Sequence, residues 1–291
     1  MTSSPSIKDL LALCKLKVVS LILLTAVVGM LLAVPYVPNL LLIVIASIGI
    51  SLSAMSAAVF NHIIDEKIDL QMSRTDRRPL PKGKVTRNQA LIWGLFLGLV
   101  GIALLFFFVN ALTAVLTFLS LIGYAVFYTM YLKHATPQNI VIGGAAGAAP
   151  PVLGWTSVAG SQGIEYALLL FLIVFIWTPP HFWALALLRQ NEYRSANIPM
   201  LPVVHGEKIT RKYILYYVLS LVPFSMLPFA FGYSSLIYLS TSVILGLELL
   251  RRTYALIKVK TNSENKLFLF SITYLFLLFL SICLDKFYQN F

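Results

Sequence analysis

The sequence predicts an all-α polytopic membrane protein. It expects nine transmembrane helices around a central cavity that opens to the cytoplasmic side, with two long cytoplasmic loops after helices 2 and 6. Three observations carry this reading. Of the 291 residues, 59% are hydrophobic and 11% are charged, and the mean hydropathy is +0.85. A soluble domain is about 25% charged, so this chain cannot cover a water-facing surface. Apolar runs of bilayer length recur along it, and nearly all its cations fall between alternate pairs of runs. A soluble enzyme, a disordered chain and a secreted disulfide scaffold are excluded. Cys14 and Cys283 lie near opposite ends with no CxxC pair, which argues against a disulfide framework or thiolate metal site.

Each span follows from a run of about 20 apolar residues, the length that crosses a bilayer core. The first, near 16–35, follows a modestly basic start at Lys8, Lys15 and Lys17. The second, near 39–60, comes straight after it, so the first is read as a retained span and not a cleaved leader. The third and fourth, 90–109 and 112–132, meet at Asn110-Ala111. The fifth, 139–157, contains Gly143-Gly144-Ala145-Ala146-Gly147-Ala148-Ala149, which predicts close helix packing. The sixth covers 166–188. The seventh, 213–232, carries Pro223 and Pro228, which predict kinks. The eighth and ninth are 235–257 and 267–284.

Connections alternate between short, weakly charged turns and longer basic ones. Of 22 Lys and Arg, 21 lie at the N-terminus or beside the even-numbered connections, with Lys286 alone on the other face. The positive-inside rule makes the 21-cation face cytoplasmic, with the N-terminus inside and the C-terminus outside. With no Arg-rich, Ser-rich leader, a bacterial plasma (inner) membrane is expected. Nothing in the net charge of +11 points to nucleic acid.

The first long connection carries chemistry. Asn61, Asp65 and Asp69 recur at i, i+4 and i+8, which on a helix aligns three oxygen-bearing side chains along one face. Oxygen-only ligands suit Mg²⁺, which takes one or two carboxylates plus substrate phosphates. Arg74, Arg77, Arg78, Lys82 and Lys84 follow directly, cations suited to a diphosphate. The bland alternative is a solvated helix whose charges pair with one another or with anionic lipid.

The second long connection echoes the first. Leu80-Pro81 through Gly83-Lys84-Val85-Thr86-Arg87 has a counterpart in Leu201-Pro202 through Gly206, Lys208-Ile209-Thr210-Arg211. The echo suggests an internal repeat within a single domain, about 16–132 and 139–257, that turns two loops toward one cavity. Glu192 is then the expected acidic partner of Asp65 and Asp69 in holding metal.

The pattern Asn61-x3-Asp65-x3-Asp69-x2-Met72-x-Arg74-Thr75, followed by Arg77-Arg78-Pro79, resembles the first signature of the UbiA-type intramembrane prenyltransferases. Within them the chain is most similar to the haem-farnesylating branch. Further matches are Tyr128-Thr129, Leu132-Lys133, Thr136-Pro137-x-Asn139-Ile140, Thr178-Pro179-Pro180-His181-Phe182-Trp183 and Glu192-Tyr193 to Pro199-Met200-Leu201-Pro202. One departure stands out: many members carry a second D-x3-D, where this chain has Glu192-x3-Ala196.

The resemblance implies farnesyl transfer from farnesyl diphosphate to a vinyl group of haem B, giving haem O, in the lipid bilayer. It implies Mg²⁺ on Asp65 and Asp69, with Arg74, Arg77, Arg78, Lys82 and Lys133 stabilising the departing diphosphate. Asp65, Asp69, Arg74 and Lys133 are the expected catalytic set. Partners by extension are a haem A synthase or oxidase assembly proteins. His181, well inside the sixth span, is either a haem-iron ligand or a histidine bonded to a neighbouring helix. His62 is expected to face solvent, and Tyr128 and Tyr131, near Lys133, are the aromatic candidates. A transporter, a prenyltransferase for an aromatic quinone precursor and a non-catalytic oxidase assembly factor are the competing readings.

Overall fold

A computed structural model describes residues 5–72 and 75–289. The described residues are helical with no strand. Helix α1 (Ile7–Leu13) is capped by Ser6, and Lys15, in the left-handed region at φ 49°, turns the chain into α2 (Leu16–Leu32). The two helices meet at a 57° bend. Asn39 starts α3 (Leu40–Ile64) by accepting the Leu41 and Leu42 amides, and the short α4 (Glu66–Asp69) follows. Thr86 and Gln89 form a reciprocal capping box that starts α5 (Arg87–Phe108). Helix α6 (Ala111–Ile122) passes into a π-helix, Gly123–Leu132, and then α7 (Lys133–Ala135).

Helices α8 (Asn139–Ala148) and α9 (Pro150–Ala159) are two halves separated at Ala149, where Pro150 and Pro151 start the second half. The remainder are α10 (Ile164–Leu188), α11 (Gln190–Ser195), α12 (Leu201–Val204), α13 (Gly206–Ala230), α14 (Leu236–Ile257) and α15 (Ser263–Gln289).

Six of these helical segments are singly long and apolar enough to cross a membrane, and the bent α1–α2 pair makes up to seven. The expected nine runs all fall on helix, yet two lie outside that criterion for physical reasons. The α8–α9 halves have 10 residues each, roughly 15 Å apiece. Helix α14 carries Glu248, Arg251 and Arg252 within its 22 residues.

The helices close a ring. Helix α3 packs on α5, α10 on α8 and α13, α14 between α13 and α15, and α15 returns to α2. Helix α2 lies hard against α9. A Cβ on Gly154 would sit 1.8 Å from the Ala26 carbonyl oxygen, and one on Gly29 would sit 2.1 Å from that of Pro151. In the glycine-rich stretch of the fifth run the predicted close packing is present at Gly143, where a Cβ would meet the Tyr128 ring at 2.1 Å, while one on Gly147 would meet nothing within 4 Å. At the far end, Asp285 of α15 accepts the Ser235 and Tyr238 amides and caps α14, while Lys286 donates to the Leu31 and Val34 carbonyls at the end of α2. Trp183, Tyr238, Tyr274 and Phe279 fill the core of the α10, α13, α14 and α15 side.

Candidate active site

The acidic ladder keeps its helical register across the break between α3 and α4. The Asp65 amide donates to the Asn61 carbonyl at 2.9 Å, and the Asp69 amide to that of Asp65 at 2.8 Å. All three side chains are buried and line one cavity. Two carboxylates one turn apart repel in such a setting unless cations compensate them, and two cations do. Lys133 Nζ lies 2.7 Å from Asp65 Oδ2. Arg78 places one guanidinium nitrogen 2.8 and 2.7 Å from the two Asp69 oxygens. Burial pushes the Asp69 carboxyl above the usual range, and Arg78 pulls it back.

Asn61 links the cluster. Its amide nitrogen donates to Asp65 Oδ2 at 2.8 Å and to Thr129 Oγ1 at 3.4 Å, and its oxygen accepts from Lys15. The left-handed backbone at Lys15 turns this side chain inward from the joint between α1 and α2.

The π-helix supplies the opposite wall. Such segments leave carbonyls out of α-helical register, and Thr129 Oγ1 donates to the Tyr124 carbonyl five residues back at 2.8 Å. The widened turn stacks the cavity-lining Tyr124 and Tyr128 rings, centroids 5.5 Å apart, and delivers Lys133 to Asp65.

The cavity holds about 1330 Å³. Beyond the charged cluster its lining is mostly apolar and comes from two places, the α3 lobe and the α10–α15 lobe. One runs along α3 past Ala58, Ala57, Ala54 and Ser53 toward Ile50, with Thr117 of α6 and Gly147 of α8 facing it. The other lies between α10 and α15 and is aromatic, walled by Trp177, His181, Phe182, Phe268 and Phe276. Val18 of α2 and Ile272 and Phe276 of α15 line the cavity and are also exposed, so it is open on the flank between those helices.

Most predicted site residues converge here. Asn61, Asp65, Asp69, Arg77, Arg78, Lys133 and His181 all line the cavity. Arg74 lies outside the described residues. Lys82 is exposed and lies outside the lining. Glu192 also lies outside it, its Oε1 taken by Arg189 at 2.8 Å, although among the described residues its Oε2 is buried without a partner, and the adjacent Tyr193 lines the cavity. The solvent-facing expectation for His62 is corrected: it is 2% exposed and 3.9 Å from Asp69, because the last turn of α3 is roofed by the segment carrying Arg78. Tyr131 is 63% exposed, so of the two flagged tyrosines only Tyr128 faces inward. Sequence reasoning missed Lys15 and Tyr124. Lys15 was legible only as one of three N-terminal cations, and Tyr124 needed the π-helical register to place it.

Among the described residues no cluster of three or more His, Cys, Asp or Glu is placed to hold a metal. The donor set still fits Mg²⁺ delivered with a diphosphate. Among the described residues Asp65 Oδ1 is buried with no partner, and two carboxylates with one amide leave the remaining positions to phosphate oxygens and water.

The model of the UbiA prenyltransferase family matches residues 22–281. A protoheme IX farnesyltransferase of Ruthia magnifica subsp. Calyptogena magnifica is 63% identical over 291 residues, covering 98% of this chain and 96% of that protein. Among solved structures, one of a digeranylgeranylglyceryl phosphate synthase superposes with a TM-score of 0.80 at 18% identity, covering 96% of this chain and 98% of the other. A UbiA homologue from Archaeoglobus fulgidus bound to GPP and Mg²⁺ superposes with a TM-score of 0.62 at 15% identity, covering 93% and 99%.

Proposed function

Because the chain belongs to the UbiA prenyltransferase family, we propose that its cavity joins farnesyl diphosphate to haem B. The protein is a multi-pass membrane prenyltransferase that makes haem O by farnesyl transfer. The observation that carries this reading is one large cavity whose lining combines a buried acid–cation cluster, an apolar stretch of α3 and an aromatic group on α10 and α15.

The chemistry assigned to the cluster is departure of diphosphate. The bond between farnesyl C1 and the bridging oxygen breaks, C1 bonds to the terminal carbon of a haem vinyl group, and water adds to the adjacent carbon. A proton is released with the diphosphate, and the hydroxyethylfarnesyl group remains. Mg²⁺ held by Asp65, Asp69 and Asn61 would neutralise the leaving group; the relative with GPP and Mg²⁺ supports a metal requirement without extending it to this chain. Arg78, Arg77 and Lys133 are assigned to the non-bridging oxygens, Lys15 to holding Asn61, and Arg74 and Lys82 remain candidates on sequence grounds. Glu192 is proposed as a further acid of the metal set on the strength of its orphaned Oε2. Fixed cations around developing charge contribute about 10²–10³-fold each.

The α3 lobe is assigned to the farnesyl chain. Ile50 lies eleven residues before Asn61 on one helix, roughly 16 Å at 1.5 Å per residue, of the order of an extended farnesyl group. The aromatic lobe is assigned to the porphyrin, with His181 facing the iron.

The nine-span topology is proposed by adding the α8–α9 pair and α14 to the seven. The cation bias supports a cytoplasmic cluster and N-terminus, a periplasmic or extracellular C-terminus and a bacterial inner membrane. The product class suits a haem A synthase or oxidase assembly protein as downstream partner. Purified protein given haem B, farnesyl diphosphate and Mg²⁺ is expected to yield haem O. Full activity in Asp65→Ala and Asp69→Ala would refute the assignment of the cluster.

A further inference from the structure

We propose that Ser271 is a positioning residue that presets His181 as an axial ligand for the iron of the acceptor haem. The proposal rests on the assignment of the α10–α15 lobe to haem.

The geometry around the imidazole points to one tautomer. Ser271 Oγ lies 2.6 Å from the Phe268 carbonyl oxygen one turn back in α15. That carbonyl can only accept, so while this bond is made the single hydroxyl hydrogen is not available to the ring. His181 Nδ1 lies 2.7 Å from the same Oγ. With the hydroxyl hydrogen already used, the hydrogen of this second bond comes from the ring: Nδ1–H donates and Oγ accepts. The neutral imidazole then carries its lone pair on Nε2. Among the described residues Nε2 has no hydrogen-bond partner, and His181 lines the cavity. A fixed N–H bond on one ring nitrogen, with the other free for metal, is the arrangement that orients ligating histidines and raises their basicity.

The ring plane is fixed as well. Trp177 stacks on the imidazole at 4.4 Å and 16°, and Phe268 at 4.8 Å and 24°. Stacking covers ring faces and leaves the in-plane direction, the one a metal uses. The Trp177 indole N–H donates to the Ser271 carbonyl at 2.8 Å, so α10 and α15 are joined at the same turn that orients the histidine. A histidine serving only to join two helices would need the bond to Ser271. It would not need an apolar, aromatic cavity at its other nitrogen.

The test is titration of the purified full-length protein with ferric haem B, read by the Soret band and by electron paramagnetic resonance. Wild type, His181→Ala, Ser271→Ala and Ser271→Thr are compared, with the KM for farnesyl diphosphate as a control for an intact fold. Wild type is expected to show a histidine-ligated signature that His181→Ala loses. Ser271→Ala is expected to weaken haem binding by about 10-fold or more and to alter the signature. Ser271→Thr, which keeps the hydroxyl, is expected to restore both. An unchanged signature and affinity in Ser271→Ala overturn the proposal. An unchanged signature in His181→Ala overturns it too, but leaves the farnesyl-transfer reading standing if wild type still makes haem O. Failure of wild type to make haem O sinks that reading itself.

Discussion

Lys133→Met separates a pair that serves the fold from one that serves the substrate. The substitution keeps an unbranched stem of similar volume and removes the charge 2.7 Å from Asp65 Oδ2. At that separation, and with an effective dielectric of about 20, the gross attraction is about 6 kcal/mol. Removing one partner of a buried pair costs about 3–5 kcal/mol, since the other charge stays behind unpaired. Among the described residues Asp65 retains the Asn61 amide at 2.8 Å, and the Lys133 side chain is 11% exposed, which places the expected loss at the lower end. In catalysis the same change withdraws a cation from the departing diphosphate, an expected fall of about 10²–10³-fold in kcat. The assay is a double-mutant cycle with Asp65→Asn, reading thermal unfolding in detergent and single-turnover farnesyl transfer together. Removing both charges relieves the buried carboxylate, so the double variant is expected to recover at least about 1 kcal/mol over Lys133→Met. It is not expected to recover activity. Stability effects that add within about 0.5 kcal/mol, or a double variant that regains turnover, would refute the reasoning.

Four further outcomes follow from the same geometry. Arg78→Lys gives up the guanidinium contact to both Asp69 oxygens and is expected to lower kcat about 100-fold, measured in single turnovers at saturating haem. Ala57→Phe fills the α3 lobe and is expected to shift preference from farnesyl to geranyl diphosphate, read as the ratio of kcat/KM values with haem B held constant. Glu192→Gln is expected to raise the Mg²⁺ concentration for half-maximal activity by about 10-fold; an unchanged requirement removes Glu192 from the metal set. Gly154→Ala forces a Cβ to 1.8 Å from the Ala26 carbonyl oxygen, and the overpacking is expected to cost at least about 1–3 kcal/mol, seen as a lower unfolding temperature.

Much of the architecture is legible in the sequence because bilayer physics is strict. A run of some 20 apolar residues can do little but form a helix, and all nine expected runs are helical. The breaks are harder to read. The α8–α9 separation at Ala149-Pro150 hides inside an unbroken apolar run, and the Lys15 turn depends on one left-handed backbone position. In the site, Asn61, Asp65 and Asp69 were legible since their spacing survives the end of α3 intact. What faces them was legible in part: Lys133 and Tyr128 came with the family resemblance, while Lys15 and Tyr124 were missed. Tyr124 sits on a π-helix that ends where Lys133 begins, and the register of that helix shifts which side chains point inward, which local spacing cannot reveal. His62 looked like a solvated residue at a helix end because the segment that roofs it folds back from beyond residue 74. Glu192 was marked by an echo between two loops; Arg189 three residues away takes its Oε1, and its Oε2 is buried without a partner among the described residues.

The most direct test of the central claim is product analysis with the purified protein. Haem B, farnesyl diphosphate and Mg²⁺ are supplied together, and the extracted haem is separated and weighed by mass spectrometry. Haem O is expected to form only when all three are present, to vanish with a chelator and return with added Mg²⁺, and to be lost in Asp65→Ala and Asp69→Ala. Unmodified haem B in every sample, or a prenylated aromatic acid formed in preference when one is offered, would contradict the account.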